Sequence, residues 1–409
     1  MNLSALKSGN FRKYLIGNVF ALHALWMGRV TIGWLAWDMT SQAGFVGLVA
    51  FAGFAPTIFL GPFFGVMADR VSVKAAALFT QSALVLVALS LFGSHVTGLL
   101  GPSLLLALSA VHGVISAMHN PVRLSLAPRL VAREDVASVV NIVGINFNLA
   151  RLLGPALGGL SIASLGISAS LLIQSLLYLP FLLALSRLEI RPRRQLAPAD
   201  TPGFFSALNE GVSYVRQSRL VLSAFLVSGI MALAIRGTLE ILPVLADGVF
   251  QRGASGLGLM TSAAGLGALL AGLAKALAPP QKVGQLPVTG ILSSVVGAVL
   301  VPLLGISTNW ALALSLIALL GFATTLTAVS MQTAIQQDLD DDMRGRVMSF
   351  WVMIAIGGTA IGAGILGIAV DVFGLTAALN VAGGSSALLL GLILLRRCTL
   401  PRRVGGPGR

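Results

Sequence analysis

The chain has 409 residues, 56% of them hydrophobic and only 10% charged, with a mean hydropathy of +0.91; a water-soluble domain needs far more polar surface, so the composition defines a membrane protein. A net charge of +13 would suit nucleic acid, but the basic residues stand in small groups between long apolar runs, as the positive-inside rule produces, which argues against a nucleic-acid partner. The lone cysteine, Cys398, leaves no intramolecular disulfide and no thiolate metal cluster, and neither metal nor cofactor is expected.

Lys7, Arg12 and Lys13 precede a first apolar run that is too long for a signal-peptide core and has no convincing cleavage site, so it reads as a retained span. A bilayer core about 30 Å thick takes roughly 20 apolar residues per helix. Stepping along the chain at that length places spans near 14–37, 44–67, 75–96, 102–123, 136–163, 168–186, 221–246, 253–277, 284–305, 310–335, 347–370 and 374–395. Short loops make neighbouring helices antiparallel hairpins. Of the 27 Lys and Arg, all but four fall at one set of alternate ends. The exceptions are Arg29, Arg151 and Arg236 inside spans and Arg252 in a loop on the other side, so both termini are expected in the cytoplasm of an inner-membrane protein.

The longest stretch between spans begins with Arg191-Pro192-Arg193-Arg194 and divides six spans from six. The expected organisation is a six-helix bundle over 1–190, a cytoplasmic linker over 191–220 and a second bundle with a basic tail over 221–409. In the linker, Phe204, Phe205, Leu208, Val212 and Val215 repeat at helical spacing opposite Asn209, Arg216 and Arg219. That pattern suits an amphipathic helix on the inner membrane surface, or equally a plain linker helix.

The two halves echo each other. Arg29 is followed by Val30-Thr31 and Arg236 by Gly237-Thr238 in the first span of each half, and both spans run on to an aspartate, Asp38 and Asp247. The connection after the fourth span is polar and mixed-charge in both halves, 129–135 and 338–346. Transporters are often built from such repeats packed around a central path.

Between the second and third spans stands Gly65-Val66-Met67-Ala68-Asp69-Arg70-Val71-Ser72-Val73-Lys74. This resembles the signature loop of the major facilitator superfamily. The fold it implies is all-α, with twelve transmembrane helices in two pseudo-symmetric six-helix bundles. Further similarity at Asn10 to Leu15, Arg123 to Asn141, Gly154 to Gly159 and Arg344 to Ser349 points to the exporter branch, which includes the enterobactin exporter and related drug-efflux proteins. The second-half counterpart of the loop, Gly272 to Lys282, lacks the Asp-Arg pair, so a gate symmetric between halves is doubtful.

The resemblance implies gating roles for Gly65, Asp69, Arg70, Lys74, Arg123, Arg344 and Arg346. Asp69 would pair with Arg123 within the first half, or with the start of the eleventh span across halves; otherwise these charges only anchor loops among headgroups. Gly154, Pro155, Gly158 and Gly159 resemble the antiporter motif of exporters, while ordinary close helix packing explains them nearly as well. Gly265, Gly267 and Gly272 follow no strand, so they fit packing rather than a dinucleotide site.

Charges inside spans carry the sharpest functional signal, because each costs at least roughly 2.5–3.5 kcal/mol at the bilayer centre unless it meets water or a partner. Arg29, Arg151 and Arg236 are expected to line the cavity and to suit an anionic or catecholate-like substrate, with Trp26 adding an aromatic wall. Trp37 and Trp310 sit near span ends, where interfacial anchoring explains them. Glu240, four residues beyond Arg236, is either a fixed partner of that arginine or a site where proton and substrate compete. His23, His112 and His119 are secondary proton-handling candidates, better explained by packing.

The sequence therefore predicts a secondary transporter rather than an enzyme: a proton-coupled exporter of amphipathic small molecules, of drug or siderophore class, acting as a monomer by alternating access. Uptake or facilitated diffusion of a metabolite is the alternative. No Gly-x-x-x-x-Gly-Lys-Ser/Thr loop is present to support nucleotide-driven pumping, and no hydrolase-like cluster supports a membrane enzyme.

Overall fold

The computed structural model describes residues 4–70, 72–189, 210, 213–279, 281, 283–339 and 341–399, with the backbone alone at 61–70, 341–342, 344–346 and 395–399. Among them, every membrane-length element is a helix. The first four are α1 (Gly9–Thr40), α2 (Ala43–Arg70), α3 (Val73–Val96) and α4 (Pro102–Leu126). Two short 3-10 turns, Ala127–Leu130 and Arg133–Asp135, lead into a helical stretch Val136–Ser186.

That stretch of 51 residues would reach about 76 Å if straight, more than twice the bilayer core. It is two helices, α5 (136–165) and α6 (167–186), separated by Gly166 at φ 84 and ψ 168. A hydrogen bond of 2.9 Å from Ser161 Oγ to Ser170 Oγ shows that the chain reverses there, since nine residues of straight helix would hold them about 13 Å apart. Only glycine adopts that backbone conformation without strain, which is why a single residue suffices as the connection.

The second half follows as α7 (219–249), α8 (Gly253–Leu277), α9 (Val288–Gly305), α10 (Trp310–Asp338), α11 (Asp341–Phe373) and α12 (Leu375–Thr399). Twelve traverses bring both ends of the described chain to one side, here called the terminus side. Local signals set the boundaries. Ser8, Ser72, Ser218 and Asn309 accept hydrogen bonds from the first turns of α1, α3, α7 and α10. Pro102 begins α4 after Gly101, and Gly374, at φ 82, separates α11 from α12.

The helix surfaces match a hydrocarbon solvent. Ile16, Phe59, Phe79, Leu86, Leu160, Ile365 and Leu388 are all well exposed, an apolar area that no water-soluble protein presents. Inside, one buried cluster centres on α7 to α12, and two lie within α1 to α6. Tyr14, Tyr178 and Phe181 fill the first half. The sequence-predicted amphipathic helix falls mostly outside the described residues. Its described end, 213–217, is helical, and Val215 packs into the second-half core.

α7 is irregular where its charges lie. Met231–Arg236 and Val244–Val249 are π-helical turns flanking Gly237–Glu240, and Pro243 lies between them. Such bulges cluster at functional sites because they re-aim side chains out of the regular helical register.

Candidate functional site

Glu240 reaches across from α7 to α1, where its Oε1 accepts a hydrogen bond from Arg29 Nη2 at 2.9 Å. The two side chains are 24% and 31% exposed, so the pair is partly open to water. The same-helix pairing with Arg236, one of the two sequence expectations, is not the contact formed. The stretch between them, Gly237–Glu240, is α-helical and Glu240 stays within electrostatic reach of Arg236, but its carboxylate closes on the guanidinium of the other half.

Aromatic rings surround this pair. The Arg29 guanidinium lies 5.0 Å from the Trp26 ring centre and 4.7 Å from that of Phe54. Arg151, from α5, lies 5.8 Å from the same indole, and Phe147 meets Trp26 edge-on at 5.8 Å. Cation–π contacts of this kind contribute about 0.5–2 kcal/mol each. Trp26 Nε1 is buried and finds no hydrogen-bond partner. Arg151 lies within the electrostatic reach of Arg29, Arg236 and Glu240. Among the described residues the centre thus holds three guanidiniums against one carboxylate, and neither Arg151 nor Arg236 makes an ion pair. Phe54 carries no signal in the sequence, since nothing there says which face of α2 meets Arg29.

On the side away from the termini, two further ties join the halves. Trp37 Nε1 donates to Asp247 Oδ2 at 2.9 Å. Asp371, at the end of α11, accepts from the backbone N–H groups of Ala43 and Gly44 at 2.8 and 2.7 Å, capping α2 from the other half. Trp37 therefore has a partner beyond interfacial anchoring. Arg252 is engaged over the Trp310 ring at 5.4 Å.

Small residues make the cross-half contacts close. Gly159 and Gly258 pack α5 on α8, Gly265 lies against the Arg151 carbonyl, and Gly47 and Gly367 bring α2 against α11. Gly154 and Gly158 lie against Trp26 and Met27 of α1. Toward the terminus side, Gly144 and Gly272 have open space around them. Among the described residues, the close glycine contacts between the halves lie at the middle and far ends of the helices.

Asp371→Ala is expected to remove a charge-assisted helix cap, an effect of about 0.5–2 kcal/mol. Because the cap exists only when the far side is shut, the far-open population should rise roughly 2- to 30-fold. Spin labels at the exposed positions Gln42 and Phe373 report this as growth of a longer-distance peak; an unchanged distribution refutes the role of the cap.

The gating candidates are placed unevenly. Lys74 Nζ donates to the Ser186 and Leu188 carbonyls at 3.0 and 2.7 Å, holding the end of α6. Arg123 is buried in the first half. The side chains of Asp69, Arg70, Arg344 and Arg346, and the surroundings of Gly65, lie outside the described residues. His23 Nδ1 binds the Val19 carbonyl at 2.8 Å and His119 Nδ1 meets Thr80 Oγ1 at 3.0 Å, in keeping with packing roles.

Two sets of six helices meeting around a charged, aromatic-lined centre define a secondary transporter of the major facilitator type. The fold is shared with solved structures: nucleoside transporter NupG (TM-score 0.70, 12% identity, covering 95% of this chain and 98% of that one) and a bacterial homologue of the human lysosomal transporter Spinster, in an inward-facing and unoccupied conformation (TM-score 0.69, 14% identity, 94% and 95%). The family model described as transmembrane secretion effector (MFS_3) matches residues 1–404, and the chain belongs to that family. Among curated proteins it is similar to the enterobactin exporter EntS of Salmonella choleraesuis strain SC-B67, 29% identical over 409 residues, and of Escherichia coli O1:K1 / APEC, 28% over 404. Each match covers 97% of this chain and 92% of the relative.

Proposed function

We propose that the chain is an exporter of amphipathic, aromatic small molecules, of the catechol-bearing siderophore or drug class, working by alternating access in exchange for protons. The observation that carries this reading is the Arg29–Glu240 bridge between halves under the Trp26 ring. Similarity to the enterobactin exporters supports both the direction and the class.

The sign of coupling selects the substrate group that must meet Glu240. An anion competes with Glu240 for Arg29, so protonating the carboxylate would help it bind, and substrate and proton would travel together. A hydroxyl or ammonium donor instead needs the carboxylate as acceptor, and a proton on Glu240 opposes it. Exchange therefore requires a donor such as a catechol hydroxyl at Glu240, its ring against Trp26 and any acidic oxygens facing Arg151 and Arg236.

In this reading the protein acts as a monomer in the inner membrane with both termini cytoplasmic, so the far side, closed by Asp371 and Asp247, faces outward. Asp69 and the start of α11, near Arg344 and Arg346, form the opposing inner latch. Gly154, Pro155, Gly158 and Gly159 serve exchange by keeping α5 in sliding contact with α1 and α8. The test is uptake of a radiolabelled catecholate siderophore into everted vesicles. An acid-inside gradient is expected to drive accumulation; the same uptake with and without the gradient would overturn proton exchange.

A further inference from the structure

Within the first half, among α1, α3, α4 and α6, lies a cavity of about 20 Å³. On this measure one water needs on the order of 10–15 Å³, so the space holds one small occupant, or two at most. Five side chains that line it carry a buried polar atom without a hydrogen-bond partner: Asn18 Nδ2, Gln81 Oε1, Ser116 Oγ, Arg123 Nη1 and Tyr178 OH. Unsatisfied buried groups are rare in folded proteins, and each calls for a physical reason. Here five such groups belong to side chains around one small space, and four of them can donate, with Gln174 also beside the Tyr178 hydroxyl and Tyr14 beside Arg123.

Among the described residues the charge is as unbalanced as the hydrogen bonding. Arg123 is 6% exposed and makes no ion pair among the described residues. A buried guanidinium is strongly unfavourable without a counter-charge. Asn18 Oδ1 is already engaged by Asn146 at 3.2 Å and Gln81 Nε2 by the Tyr178 carbonyl at 2.9 Å, which leaves Asn18 Nδ2 and Gln81 Oε1 as the unpartnered atoms of these two side chains. His119, also in the wall, is bonded to Thr80 and brings no negative charge.

We propose that this cavity is a binding site for a small monovalent anion of halide size, seated on Arg123 and held by the donors of Asn18, Ser116 and Tyr178. It is separate from the Arg29 centre and fixes four helices of one bundle to each other near the terminus side. The anion is structural and is not carried across the membrane.

The test uses the purified full-length chain in detergent at constant ionic strength, with chloride replaced by bromide or by gluconate, which is too large for the cavity. The thermal unfolding midpoint is expected to rise saturably with chloride and bromide and to stay flat with gluconate. Ser116→Ala should move half-saturation several-fold higher, and Arg123→Gln should abolish the response. Crystals grown in bromide should show anomalous scattering in the cavity. Equal midpoints in the three salts, or no bromide there at saturation, would overturn the site and leave water as its occupant. These wild-type measurements decide the matter even if Arg123→Gln fails to fold. Were the Asp69 carboxylate the counter-charge of Arg123, the salts would likewise be indistinguishable.

Discussion

Glu240→Gln is expected to reduce gradient-driven accumulation in everted vesicles to the passive level while leaving counterflow of the same substrate measurable. Glutamine keeps the shape and an acceptor oxygen but cannot take up a proton at any working pH. A charge-assisted hydrogen bond contributes about 1.5–3 kcal/mol and a neutral one about 0.5–1.5, so substrate affinity should fall about tenfold. It should also become independent of pH. The double readout separates coupling from folding, because a misfolded carrier loses counterflow as well. Full gradient-driven transport by the variant would make the Arg29–Glu240 bridge a structural tie and move proton coupling elsewhere.

Gly159→Ala is expected to act at the other extreme, on the equilibrium between access states rather than on the chemistry. A methyl group at this position would lie 2.5 Å from the Ala254 carbonyl oxygen and 2.8 Å from Gly258 Cα, both on the opposite half. Overpacking costs about 1–3 kcal/mol, and here it falls on the far-closed arrangement alone. The balance between states should shift roughly 5- to 150-fold toward the far-open form. Distances between spin labels at Ser164 and Ser255, exposed at the adjoining ends of α5 and α8, would lengthen. Gly272→Ala, on the same α8 but with nothing within 4 Å of the added carbon, should be silent. Equal behaviour of the two variants would show that the α5–α8 contact does not govern access.

Hydropathy made the twelve rods legible, since lipid imposes one length on every span. The α5–α6 break is legible for the same reason, because no membrane helix can run on for 51 residues. What the sequence concealed was partner choice across the halves. Glu240 was readable as a costly intramembrane carboxylate, yet its partner Arg29 lies 211 positions away, and only the local candidate, Arg236, was visible. The π-turns on either side of this segment carry no sequence signal beyond Pro243. Trp37 read as an interfacial aromatic because that explanation is usually sufficient. Asp371 lies just beyond the expected end of its span, where a carboxylate carries no cost that would mark it, yet it joins the halves by two hydrogen bonds. The glycines were legible as packing residues, but which neighbour each admits was not.

Gly166 and Gly374 have a practical consequence for anyone approaching this protein from the far face. With single residues joining α5 to α6 and α11 to α12, and two joining α1 to α2, that face is almost entirely helix ends. Proteases and antibodies will find little extended backbone to grip there. Inserted epitopes should be accepted best at 97–101, 250–252 and 306–309, where the chain briefly leaves helical structure.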